Sequence, residues 1–555
     1  MKKKIVALML VACMVLSVCA CGQKTTEKST KDVEKTESST STSQYETTSG
    51  STSAEEEKGL YPLVDEPITI KGMVVGGAAD AKIKNERKIW QRVGELTGIT
   101  IEWEVVEQEA LNTRLASGNL PDIFHANFSQ SIVTDYGVLG GKFLNVNDYL
   151  EYMPHLVKTY EDYPTLKKAT TETNGEIYRL GTVSVAATST KVRPHVNMEV
   201  LRNAGITKVP ETIDEFYQAL VALKEKNGEA GFIPYIGSKI NSSYWNKMLF
   251  AAFGTMVGYE WEADDNGTVI FSRTSEQMKR YLTFMNKLYE EGLIHKESST
   301  LDTLVRRDIE LTSGNIAFLE SSSSGSINAE HFASGKIEME TCKPFTSEYD
   351  NTQTVVAQNI VTMYGMFINA DTKYAKEICQ MLDIMYAEEE VAEGTGLRGM
   401  AFCYGVEGEC WVINDDGKTY SFIVPEEYNS GATHAQSEWV FLVAGRLDLF
   451  KNLMPLDPGN NSTIRQEGYV ANVHPYSTKY EFPTELFKLT DDETYVIENK
   501  YTDIDSYCKE MEVKFITGLE DIETGWDTFV ENLNKMGLQE VVKAYQDAYD
   551  RWEGK

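Results

Sequence analysis

Ile68-Thr-Ile-Lys-Gly-Met-Val-Val75 opens the stretch that decides the fold, and Leu111-Asn-Thr-Arg-Leu-Ala-Ser-Gly-Asn-Leu-Pro-Asp-Ile-Phe124 closes it. The first run is rich in β-branched and apolar residues and reads as a strand, with Gly76-Gly77 as the turn behind it. Ile83, Ile89, Trp90, Val93 and Leu96 then recur at helical spacing up to Gly98, a helix stop. Ile99 to Val106 alternates as a second strand, Leu111 begins a second helix that stops at Gly118, and Asp122 starts a third strand. Strand, helix, strand, helix, strand is the grammar of a doubly wound α/β sheet. In such sheets ligands lie beyond the carboxyl ends of the strands.

Working outward, the chain begins with Lys2, Lys3 and Lys4 followed by an apolar run from Ile5 to Val18. That run is too short to span a bilayer and ends in small residues, the pattern of an export signal. Val18-Cys19-Ala20-Cys21-Gly22 resembles a bacterial lipobox, which implies lipidation of Cys21 and removal of residues 1–20. Residues 23–58 are almost entirely Ser, Thr, Glu, Lys and Gln, with Tyr45 as the one aromatic, and cannot bury enough surface to fold. Residues 21–59 are therefore expected to be a tether, with a reach of about 30–35 Å at ~5–6 Å per root residue.

The remainder of the 555 residues is too long for one ordinary core and predicts two lobes. A formal charge of −31 repels phosphate backbones and anionic lipid, which excludes nucleic acid as a partner. Five cysteines fall in the body (Cys342, Cys379, Cys403, Cys410, Cys508), too few for a disulfide framework. Cys403 and Cys410 flank a glycine turn and leave a bridge open; free buried thiols are the expectation.

Leu115-Ala-Ser-Gly-Asn-Leu-Pro-Asp-Ile123 resembles the "SGxxPDI" motif of the extracytoplasmic solute-binding lipoproteins of ABC importers, in their LplA-like, oligosaccharide-type branch. The likeness continues in order along the body. It runs through Phe143 to Pro154, Asn174 to Leu180 and Val196 to Ile206. It then takes in Val209 to Phe216, where Thr212 and Glu215 have capping-box spacing, and Ser313 to Leu319, and ends in Trp526 to Tyr549. Asn174 to Leu180 departs from the family pattern, with Gly181 where a proline is usual. The resemblance implies a two-lobed, type II periplasmic-binding-protein-like α/β fold. It sets lobe 1 at 60–184 with 358–430, and lobe 2 at 185–357 with 431–555. It further implies a monomer at the outer face of the membrane that captures an oligosaccharide. Delivery would be to two permease subunits powered by a cytoplasmic ATPase, without catalysis and without a cofactor.

The residues agree on the last point. The chain has no GxSxG, HExxH or GxxxxGK[ST] run, and its seven histidines are scattered without metal-ligand spacing. A glycan hydrolase with paired carboxylates and a ligand sensor feeding a histidine kinase stand as the alternatives. Many LplA-like proteins carry a calcium loop where this chain reads Leu223-Lys-Glu-Lys-Asn-Gly-Glu-Ala-Gly-Phe-Ile-Pro234. That loop is shortened and lacks the carboxylates calcium needs, so no metal is expected. The clusters Asp264-Asp265-Asn266-Gly267 and Asp415-Asp416-Gly417 read as hairpin turns, the first as type I′.

A saccharide calls for aromatic faces and planar polar groups at strand ends and crossings. The candidates are Phe124, His125, Asn127 and Phe128 after the third strand, Arg193 and His195 at the entry to lobe 2, and Tyr244 and Trp245. Glu320 and Ser322 after a further strand, Tyr364 in the second crossing, and Trp411 complete the set.

Overall fold

The computed structural model describes residues 60–75, 87–185, 192, 194–237, 240, 243–254, 260–320, 339–357, 359–428, 434–439, 445–448, 453–455 and 461–555. The leader, Cys21, the tether, Arg193, Ser322 and the side chain of Tyr244 lie outside the described residues.

In chain order the first elements are β1 (Ile68–Val75), α1 (Lys88–Thr97), β2 (Ile99–Val106), α2 (Gln108–Ser117) and β3 (Ile123–Ala126). Both helices close on glycines in the left-handed conformation, Gly98 at φ 78° and Gly118 at φ 71°, where a side chain would be strained. Then come α3 (Pro154–Asp162), α4 (Pro164–Thr170), β4 (Leu180–Val183), β5 (His195–Asn197), α5 (Ile213–Asn227) and α6 (Tyr244–Ala252). The hairpin β6 (Trp261–Ala263) and β7 (Val269–Phe271) precedes α7 (Glu276–Glu290), α8 (Thr303–Thr312), β8 (Phe318–Leu319) and β9 (Met339–Thr341). Strands β10 (Val355–Ala357) and β11 (Val361–Ile368) are followed by α9 (Ala375–Asp383), β12 (Trp411–Ile413) and β13 (Thr419–Phe422). The chain ends with β14 (Met454–Pro455), α10 (Asn461–Asn472), β15 (Ser477–Tyr480), α11 (Asp491–Thr517), α12 (Ile522–Lys535) and α13 (Leu538–Glu553).

The fold is a two-lobed α/β architecture. The first lobe is built on a five-stranded sheet in the order β2-β1-β3-β11-β4. β1 runs parallel to both β2 and β3, and β11 lies antiparallel between β3 and β4. β2 is at the edge and alternates buried Ile99, Ile101 and Trp103 with exposed Thr100, Glu102 and Glu104, whereas central β3 is buried throughout. A Cβ on Gly365 would stand 2.0 Å from the Leu180 carbonyl oxygen, so only glycine lets β11 approach β4 this closely. The second lobe holds the antiparallel sheet β8-β5-β9, extended by a parallel bridge from Phe232 to Phe318.

The two main hydrophobic cores follow this division. One gathers Ile70 to Val183, then Val361 to Leu447, and Leu486. The other gathers Val192 to Val356 and Tyr469 to Ala548. A smaller cluster around Phe124, Phe128, Phe143 and Phe367 covers the opposite face of the first sheet.

Two local expectations meet a different outcome. The β6–β7 turn is not type I′, since that turn needs positive φ at both central residues and only Gly267 has it (φ 83°). Instead the Asp264 carboxylate accepts from the amides of Asn266 (2.9 Å) and Thr268 (2.8 Å) and holds a longer loop. Thr212 caps α5 by accepting from the Glu215 amide at 3.0 Å, but Glu215 accepts from the Glu211 amide rather than closing a full capping box. The full box occurs at the start of α11, between Thr490 and Glu493. Cys403 and Cys410 are separate thiols.

Candidate functional site

In the first lobe the site begins where β3 runs out. Asn127 is exposed directly after the strand, while Phe128 turns back into the core. Arg179, buried, fixes that turn by donating to the Phe128 carbonyl at 2.7 Å and to the Met363 carbonyl of β11 at 3.0 Å. Burial lowers the Arg179 pKa to about 10, which leaves it charged at neutral pH. On the neighbouring strands the His125 ring meets the Tyr364 ring edge-on at 4.7 Å, and Tyr364 is half-buried.

The structure therefore sorts the first-lobe candidates. Asn127 presents side-chain surface directly after β3, and Tyr364 does so beside it from within β11, where Gly365 pairs with Ala126. His125 is buried and braces Tyr364. Phe124 is a correction: it is 1% exposed and packs edge-on to Phe128 and Phe143, each at 5.7 Å, because the even positions of β3 face the core. Phe128, stacked on Phe143 at 5.5 Å, is core as well.

In the second lobe His195 heads the central strand β5, fully buried, with its Nε2 2.5 Å from the Tyr469 hydroxyl of α10. Glu320 follows β8 and receives the hydroxyl hydrogen bond of Ser243 at the N-cap of α6. Trp245 is the plainest correction. It has no exposed surface, donates its indole N–H to the Leu319 carbonyl at 2.9 Å, and lies within 6.0 Å of Phe216, Phe232, Phe318 and Phe345. An indole enclosed in this way has no face to offer a sugar. Trp411 is likewise core: 2% exposed, it bonds the Gly405 carbonyl at 3.0 Å and packs the β12–β13 hairpin beside Tyr420.

Sequence reasoning missed the buried charges around these positions. Lys488 donates to Glu172 (2.7 Å) and Gln130 (3.2 Å), joining the stretch after Leu486 to the turn beyond β3. Arg306, on α8, donates to the Pro234 carbonyl at 2.7 Å and to that of Ser298 at 3.0 Å, and also binds the Ile233 carbonyl. No motif marks either residue, since an isolated Lys or Arg in sequence reads as surface.

A separate cavity of about 680 Å³ lies beside the crossing strands, walled by Lys168, Ile360, Tyr480, Phe482, Tyr549 and Trp552. None of the strand-end candidates lines it. In the last turn of α5 Lys226 is exposed and Lys224 caps the Glu291 carbonyl, and in the loop after it Glu229 accepts from Asn315 at 3.2 Å. Among the described residues no three His, Cys, Asp or Glu side chains are grouped to hold a metal ion.

The family model for bacterial extracellular solute-binding proteins matches residues 80–392, more than half of the chain. The chain belongs to the bacterial extracellular solute-binding proteins. A second model, a domain of unknown function, covers residues 490–554 of this solute-binding protein, the start of α11 to the end of α13. Among curated relatives, the fructooligosaccharide ABC transporter substrate-binding protein FusA of Streptococcus pneumoniae is 24% identical over 530 residues, covering 89% of this chain and 92% of FusA. The solute-binding fold is also that of an HMO-binding, ABC-transporter-associated solute-binding protein from Bifidobacterium longum infantis. That match has a TM-score of 0.70 at 19% identity and covers 88% and 99% of the two chains. The structure of FusA in complex with kestose matches with a TM-score of 0.67 at 22% identity, covering 88% and 100%.

Proposed function

We propose that this protein captures an oligosaccharide between its lobes and delivers it to the permease of an ABC importer. The observation that carries the reading is the likeness to FusA, which runs nearly end to end along both chains rather than over one module. The strand-end chemistry supports it. Asn127 and Tyr364 supply an amide and a ring in the first lobe. Ligand contacts to both lobes shift the population toward a closed form by no more than the ligand's differential affinity for that form. Lobe 1 comprises residues 60–184 and 358 to about 448, since Trp439 and Leu447 pack in the first core, and lobe 2 takes the rest apart from Leu486. Cys21 carries the lipid that holds the monomeric body at the outer face of the cell membrane.

The reading involves no catalytic step. Glu310 and Glu320 approach one another, but as a carboxylate accepting the Glu320 amide at 3.2 Å, not as two carboxylates flanking an open site. Equilibrium dialysis against labelled linear oligosaccharides tests it. Intact sugar accumulating on the protein side is the expected result. Shortened sugar would favour the hydrolase, and no accumulation of any saccharide would overturn the reading.

A further inference from the structure

Three irregular stretches meet beyond the carboxyl ends of the second-lobe strands: 233–236 after Phe232, Ile240 and Ser243 on the approach to α6, and Glu320 after β8. None of them is held by a sheet ladder there. They are held by side chains. Arg306, 1% exposed, donates to the carbonyls of Ile233, Pro234 and Ser298, and its guanidinium lies 4.0 Å over the Tyr235 ring. One turn along α8, Glu310 is buried and accepts from the Glu320 amide at 3.2 Å. Glu320, also buried, takes the Ser243 hydroxyl, and the Ser243 oxygen in turn accepts from the Asn246 amide at 2.8 Å. Asn246 returns to the loops, donating to the carbonyls of Tyr235 (2.7 Å) and Ile240 (3.2 Å).

Burying an arginine and two glutamates is costly, and an apolar filling could pack α8 equally well. What apolar side chains could not do is fix the backbone atoms of loops that have no ladder partners. Apart from the Tyr235 ring, every partner just named is a main-chain atom of these stretches, the Ser298 carbonyl, or another member of the network. We propose that Arg306, Glu310, Glu320, Ser243 and Asn246 form a positioning network that holds the ligand face of the second lobe in its binding geometry before ligand arrives. Glu320 thereby serves as a positioning residue, set behind the surface it orders. The inference rests on the proposed capture of a saccharide between the lobes, and it accounts for preorganised affinity by keeping the second-lobe loops ordered without ligand.

Hydrogen–deuterium exchange on the ligand-free, full-length protein tests the network without needing a ligand. Arg306→Met keeps the stem over Tyr235 and removes the donors. It is expected to speed exchange at least tenfold at 233–236, Ile240, Ser243 and Glu320, with β5 (195–197) and β9 (339–341) unchanged. Arg306→Lys is expected to restore part of the protection. Should Arg306→Met fail to fold, Glu320→Gln reads the same segments with the hydrogen-bonding shape retained. Exchange that rises across the whole second lobe, or in none of these segments, overturns the proposal. Kestose serves as the binding probe, and its dissociation constant should rise about tenfold in the variants. Equal kestose affinity in wild type and variants also overturns it. A wild type that ignores kestose while the exchange pattern holds corrects the choice of sugar and leaves the positioning role supported.

Discussion

Trp245 is enclosed by four phenylalanines and gives its indole N–H to a strand carbonyl, so its contribution is to stability. Trp245→Ala is expected to destabilise the protein by roughly 3–5 kcal/mol in denaturant titration, the cost of an aromatic deleted from a closed core. A variant that keeps its midpoint and loses only ligand binding would contradict this. Asp383 makes a second residue-scale case. Its buried carboxylate accepts from the amides of His155 (3.1 Å) and Leu156 (2.8 Å), capping α3 from a distant helix. Burial nevertheless raises its pKa to about 7, against the opposing pull of those two amides. A raised folded-state pKa means that its contribution is full below the ordinary carboxylate pKa of 3.8 and is lost as pH rises through about 7. Asp383→Asn gives up one hydrogen bond at every pH but has no charge to bury. Its melting deficit relative to wild type should therefore shrink between pH 5 and pH 8. Burial lowers the pKa of the neighbouring His155, and a His155→Gln background removes that ring's contribution from the comparison. A pH-independent deficit would count against the account.

At the scale of elements, the sequence was most legible where periodicity and stop signals coincide. Gly98 and Gly118 close α1 and α2 as read, because positive φ is a local demand that glycine meets locally. The Asn266-Gly267 turn was less legible, because the Asp264 carboxylate sets the loop and neither composition nor spacing reveals which side chain will accept. Buried ion networks were not legible at all. Arg273, fully buried after β7, binds Glu512 (2.8 Å) and Asp505 (2.7 Å) of α11, more than two hundred residues away. Arg273→Met should cost about 3–5 kcal/mol, because it leaves the buried Glu512 carboxylate uncompensated. A loss below about 1 kcal/mol by chemical denaturation would mean that the pair is solvated. Around the end of α5, the exposed Lys226 and Glu229, which is bonded to Asn315, make a poor cation site, so millimolar calcium should leave the melting midpoint unchanged. A calcium-dependent rise would contradict that reading.

At the scale of the whole molecule, the doubly wound opening and the ordered family motifs make the two-lobed α/β fold legible from sequence. Among the candidate ligand residues, Asn127 after β3 and Tyr364 within β11 have reachable surface, while Phe124, Trp245 and Trp411 belong to cores. Sequence shows which aromatic follows a strand but not which way its ring turns, since that depends on partners such as Phe143, Phe216 and Gly405 from distant or folded-back segments. The lobes are also tied together away from the strand ends. Lys168 lies 4.1 Å over the Trp552 ring, and Trp552 packs against both cores. The central claim, capture of a saccharide by this body, is tested most directly by the thermal midpoint of the compact unit Gly59–Lys555 against oligosaccharides, with amino acids and peptides as controls. A cognate oligosaccharide at a hundred times its dissociation constant should add about 2.7 kcal/mol and raise the midpoint visibly. A flat oligosaccharide panel beside a responding peptide would contradict the account.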